Sequence, residues 1–89
     1  MSTINVPAAT DLPGINAILA QMEESDGPLT AMGNDGTNTT LTFDDAGTNP
    51  TVFAVIAAGV PPAGATTVCS GTIFIAGTQT AATATRAGS

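Results

Sequence analysis

The sequence predicts an α+β fold that is mainly β. One N-terminal amphipathic helix packs on a small three- to four-stranded, mainly antiparallel sheet, with extended terminal arms. Three observations predict this. Ile15, Ile18, Leu19 and Met22 recur at i, i+3, i+4 and i+7, the stripe of a helix with one buried face. Thr40 to Phe43 alternates polar and apolar residues, the period of a half-buried strand. Thr51 to Val60 and Ile73 to Ile75 are apolar at successive positions, so strands there need cover on both faces.

Cover is scarce in a chain of 89 residues, which is one small domain. Leu, Ile, Val and Phe together supply 18 of the 89 residues, whereas Ala alone supplies 16. A domain of this size buries only roughly 60–65% of the surface that its unfolded chain exposes. A single cysteine, Cys69, makes no internal disulfide, and without histidine the common zinc sites are excluded. Cys69 reads as a small buried hydrophobe. Stability is therefore expected to come from assembly with other subunits.

In chain order, residues 1–10 read as an N-terminal arm in which Ile4 and Val6 alternate with polar neighbours up to Pro7. Residues 11–77 form the single α+β domain. Asp11 is a helix N-cap with Pro13 in the first turn, and Ser25-Asp26-Gly27-Pro28 stops the helix, which spans roughly 12–25. Leu29 to Asn38, with Asp35-Gly36 at its tightest point, reads as a turn-rich link. Residues 37–43 follow as a strand with Leu41 and Phe43 inward, and Asp44 to Pro50 as a polar loop. The apolar run gives a strand over 51–58, ended by Pro61-Pro62. Residues 66–76 give a third strand, in which Gly71 marks a bulge or a close backbone contact. Residues 78–89 carry Thr, Ala and little to bury, and read as a C-terminal arm able to join a partner's sheet.

The charge excludes several functions. Seven acids against one Arg and no Lys give a net charge of −6, the wrong sign for a nucleic acid or an anionic membrane surface. The first residues have neither the basic nor the apolar segment of a signal peptide, and no run approaches the ~20 apolar residues of a membrane span. Synthesis in a cytoplasm is the expectation. The absence of His, Lys, Tyr and Trp leaves only carboxylates as general acids or bases. Asp44 and Asp45 are neighbours whose side chains diverge in extended backbone, so no paired-carboxylate centre is expected there. The Asn and Asp residues of the loops lack the spacing of a calcium loop. Neither catalysis nor a cofactor is expected.

Adhesion remains. Phe53, Val55 and Phe74, on the face opposite the helix, together with Ile4 and Val6 of the arm, are expected to meet a second subunit or a larger surface. Glu23, Glu24 and Asp26 crowd the C-terminal end of the helix, where acids oppose the helix dipole. They are expected to form an acidic docking surface for a basic patch on another protein.

This small, acidic, Lys-free, Ala/Thr/Gly-rich composition resembles that of bacteriophage capsid decoration (cement) proteins. Thr39-Thr40-Leu41-Thr42-Phe43 followed by Gly47-Thr48 resembles a segment of the lambda-type head-stabilising proteins. The resemblance implies a mainly β homotrimer bound to the major capsid protein at local threefold positions on the exterior of the virion. A helix ahead of the strands and the Asp44-Asp45 loop depart from that family's pattern. A head-fibre, neck or tail component, or a soluble oligomeric binding module, are the alternatives.

Overall fold

The computed structural model describes residues 2–44, 54–57 as backbone, and 63–86. Within them the chain is mainly β with one helix, in the order β1 (Ser2–Pro7), α1 (Leu12–Asp26), β2 (Leu29–Asn34), β3 (Asn38–Phe43), β4 (Ala54–Ala57), β5 (Thr66–Ile75) and β6 (Thr78–Arg86). The α+β, mainly β class is as the sequence predicts. Instead of a single sheet, however, there are two three-stranded antiparallel sheets, β1-β3-β2 and β4-β6-β5.

Helix α1 forms where the apolar stripe and its caps place it. Asp11 is extended and accepts a hydrogen bond from the Gly14 amide at 2.9 Å, with Pro in the first turn. Ile15 and Leu19 are buried, and Leu12, Ile18 and Met22 pack partly buried against the same core. Gly27, at φ 87°, ends the helix and donates its amide to the Glu23 carbonyl at 3.2 Å.

The N-terminal arm is a strand. β1 pairs with β3 from Ser2↔Phe43 to Pro7↔Asn38, and its alternation turns Val6 into the core. Pro7 is tolerated because β1 is an edge strand of this sheet. The segment after β1 is fastened as well: the amides of Ala76 and Gly77 donate to the carbonyls of Thr10 and Ala8 at 2.9 and 2.7 Å.

The link after the helix also contains a strand. β2 pairs with β3, but its register shifts between Leu29 and Ala31, so Thr30 is the extra residue of a bulge. Leu29 and Met32 both reach the core although three residues apart, while Thr30 and Ala31 face solvent. The bulge removes the period-two signal that would have disclosed the strand.

The C-terminal arm is the central strand of the second sheet. β6 pairs with β4 on one side and with β5 on the other, and Ala82, Ala84 and Thr85 are buried. A central strand needs partners on both edges more than it needs large side chains, and the small alanines let the rest of the core approach it closely. Only residues 54–57 of the expected strand over 51–58 are described. They form β4, at the edge of the sheet.

Strands β5 and β6 join through Ala76 and Gly77, both at positive φ, 50° and 86°, with Ile75 paired to Thr78. This is the two-residue primed turn that suits twisted strands, and it favours Asn over Ala at its first position. Ala76→Asn should therefore raise stability by about 0.5–1 kcal/mol, read as a higher urea midpoint with an unchanged slope.

The core lies between the two sheets and α1. Leu41 and Phe43 of β3, Leu29 and Met32 of β2, Val6 of β1, Ile73 of β5, the β6 alanines, and Ile15 and Leu19 of the helix form one cluster. Leu41 and Phe43 point inward as their alternation predicts, and Thr39 joins them fully buried.

Candidate functional site

Of the three acids at the end of α1, only Glu24 is an exposed surface charge. Glu23 is 2% exposed, and its Oε2 accepts the Leu29 amide at 3.0 Å. Its carboxylate closes the reversal from helix into β2, satisfying an amide that enters the core. Asp26 is half-buried and accepts the Ser2 hydroxyl at 2.6 Å, tying the end of α1 to the start of β1. The expected acidic docking surface is thus corrected: two of its three members hold the fold together.

The expected apolar interface divides in a similar way. Val6 is 2% exposed and belongs to the core, so it is removed from the interface. Ile4 is half-buried and packs against that core from the inward side of β1. Phe53 and the side chain of Val55 lie outside the described residues. Phe74 is half-buried on β5, at a position alternating with the inward Ile73. Among the described residues it is the aromatic side chain of the set, and the structure leaves it partly at the surface.

The outward positions of the sheets share one chemistry. Thr3 and Asn5 on β1, Thr40 and Thr42 on β3, and Thr30 and Ala31 on β2 carry no charge. The hydroxyls of Thr3 and Thr42 lie 3.0 Å apart across their strands. On the other sheet the outward residues around Phe74 are Ser70, Thr72, Gln79, Ala81 and Thr83, again uncharged, with the Ser70 hydroxyl 3.4 Å from that of Thr83. These faces are not legible in the sequence because most of their residues come from segments that read as arms or a link.

The sheets meet where β5 runs against β2, through side chains and bare backbone. Thr39 Oγ1 accepts the Phe74 amide at 2.9 Å and donates to the Phe74 carbonyl at 3.2 Å, and Asn34 Nδ2 donates to the Thr72 carbonyl at 2.6 Å. These bonds satisfy the edge of β5 that faces away from β6. Gly71 marks a close contact as expected, lying against the Met32 carbonyl, while the bulge of β5 falls elsewhere, between Thr67 and Cys69.

Among the described residues no group of three His, Cys, Asp or Glu side chains could hold a metal ion, and no helix is long and apolar enough to cross a membrane. Cys69 is half-buried, and desolvation raises its thiol pKa above the ordinary value, keeping it protonated and a poor nucleophile at neutral pH.

Asp35 is the exposed acid with a perturbed carboxyl. Amides of Asn38 and Thr37 donate to its Oδ1 at 2.7 and 2.8 Å, and these bonds hold its pKa below 3.8. A carboxyl whose pKa is lower folded than unfolded contributes stability above its unfolded value and loses it as pH falls through the folded one. Urea midpoints measured against pH should therefore show a decline below 3.8 that is reduced in Asp35→Asn.

No protein-family model, curated protein or solved structure matches the chain.

Proposed function

We propose that this chain is a non-catalytic structural protein of the capsid-decoration kind, which assembles with copies of itself and reinforces the outer surface of a phage head. The observation that carries the reading is the surface chemistry of the sheets. Among the described residues, their outward positions are hydroxyl, amide and methyl groups without charge, and Phe74 stands among them. The central part of a protein interface is depleted in charge and enriched in aromatic residues, because charged groups are costly to strip of water. A face of this kind can lie flat on another protein with little desolvation penalty.

The sequence supports the same class. It contains no His, Lys, Tyr or Trp, and its net charge of −6 disfavours nucleic acid as the partner. The segment Thr39 to Phe43, which resembles part of the head-stabilising proteins, is the central strand of its sheet. Expected partners are the major capsid protein and two further copies of this chain, on the exterior of the virion.

Native mass measurement and co-sedimentation with phage heads stripped of accessory proteins test the reading together. A trimer that saturates the heads and raises their resistance to heat is the expected result. Phe74→Ser should weaken that binding about tenfold, the effect of losing a modest aromatic anchor, without changing the circular dichroism of the free protein. A folded monomer at micromolar concentration that leaves the heads bare would overturn the proposal.

A further inference from the structure

The chain contains two Asp-Gly pairs, Asp26-Gly27 and Asp35-Gly36. Such pairs are chemically labile because glycine has no Cβ to crowd its own nitrogen. That nitrogen can attack Cγ of the preceding aspartic acid. The new N–Cγ bond forms as the carboxyl hydroxyl leaves with the amide proton as water, giving a five-membered succinimide. Water then adds at either ring carbonyl and the C–N bond at that carbonyl breaks. One opening restores Asp; the other leaves isoaspartate, with the main chain routed through the former side chain. No oxidant or further reactant is required.

The fold treats the two pairs differently. Asp26 is the last residue of α1, its carboxylate accepts the Ser2 hydroxyl at 2.6 Å, and Gly27 is buried with its amide on the Glu23 carbonyl. Reaction there would require the helix end to open. Asp35 and Gly36 are both exposed, in the connection between β2 and β3. Gly36 lies at φ 91° with open space where a Cβ would project. Three local bonds restrain the reacting atoms. The Gly36 amide donates to Asn34 Oδ1 at 3.0 Å, and the Asp35 carboxylate accepts the amides of Thr37 and Asn38.

We propose that Asp35-Gly36 is the site at which the folded protein forms succinimide and isoaspartate, and that the Asn34 side chain sets the rate by occupying the attacking Gly36 amide. Ring closure consumes the protonated carboxyl, so the two amide bonds to Asp35, which favour its ionised form, act in the same direction as Asn34. Once isoaspartate forms, the added main-chain methylene displaces the bond from the Asp35 amide to the Asn38 carbonyl, now 3.1 Å, that closes this connection. Asn34 also tethers β5 through Thr72, so the damage lies beside the junction of the two sheets.

The test is peptide mapping of isoaspartate in purified protein incubated for weeks at mildly acidic pH, folded and in urea. In the folded protein isoaspartate should accumulate at Asp35 several-fold faster than at Asp26, whereas in urea the two sites should react at similar rates and both faster than when folded. Asn34→Ala should accelerate reaction at Asp35 several-fold and leave Asp26 unchanged. Asn34→Asp keeps an oxygen for the Gly36 amide while losing the donor to Thr72, and should stay near the parent rate, which separates the two roles of Asn34. Equal or faster reaction at Asp26 in the folded protein overturns the proposal, as does an Asp35 rate that is the same folded and in urea. An unaltered Asp35 rate in folded Asn34→Ala overturns the role of Asn34; should that variant not fold, Asn34→Asp reacting as fast as the urea sample does so instead.

Discussion

Replacing Gly71 by alanine should lower stability by about 3 kcal/mol, near the upper end of what overpacking costs. Gly71 sits on the inward side of β5, paired with the buried Ala82 of β6. A Cβ built there would fall far inside contact distance of the Met32 carbonyl oxygen and 3.1 Å from its carbonyl carbon. Both are backbone atoms of β2, itself paired to β3, so no side-chain rotation relieves the clash. The sheets must part, and Ile73, Met32 and Leu41 would lose packing with them. Gly33 is the control. A Cβ there meets only Thr40 Oγ1, at 3.9 Å, an ordinary contact. Gly33→Ala should be neutral or stabilise by up to about 0.5–1 kcal/mol, since glycine in a strand carries extra unfolded-state entropy. Urea midpoints of the two variants check the pair; similar midpoints would mean that β5 does not press on β2.

Exchanging Thr39 for valine should cost about 2 kcal/mol through two lost hydrogen bonds at almost constant volume. Thr39 is fully buried in β3, and its hydroxyl both accepts from the Phe74 amide and donates to the Phe74 carbonyl. Valine fills the same space and leaves that amide and carbonyl facing a methyl group in a partly buried place. Leaving partly buried polar groups unpaired costs more than the bonds contribute net, because the unfolded chain pairs them with water. Thr39→Ser keeps the hydroxyl and removes one methyl, and should cost about 1 kcal/mol. A smaller loss for Val than for Ser would show that the methyl, not the hydroxyl, matters. Amide hydrogen exchange at Phe74, faster in the Val variant alone, reads the same bond directly.

Both predictions concern the junction of the sheets, where the proposed function and the fold meet. Phe74 presents its backbone to Thr39 and part of its side chain to the outer face. The bonds that fix β5 therefore also fix the aromatic group that the proposed interface would use. A binding loss in Phe74→Ser with normal stability, alongside a stability loss in Thr39→Val, would separate the two roles of this residue.

The candidate site was legible only in part. Phe74 could be named because Ile73-Phe74-Ile75 has more apolar side chains than one face can absorb. Glu23 could not be placed correctly, because three acids at a helix end look like a solvated face. Its burial depends on where Leu29 turns back beneath the helix.

By itself the sequence determined α1, β3 and β5, the mainly β class, and the exclusion of histidine and lysine chemistry and of an internal disulfide. Each of these rests on a local signal: a stripe with caps, an alternation of large and polar residues, or a composition. Tertiary structure alone decided that β1 and β6 are strands of sheets and not arms, that a bulged β2 runs where a link was expected, and that two of the helix acids are structural. The physical reason is that periodicity reports burial only when large side chains mark the buried face. β6 buries alanines and a threonine, β2 interrupts its period with Thr30, and β1 finds its register against β3 at Ser2↔Phe43, far along the chain. Those choices are made by partners that no local window of sequence contains.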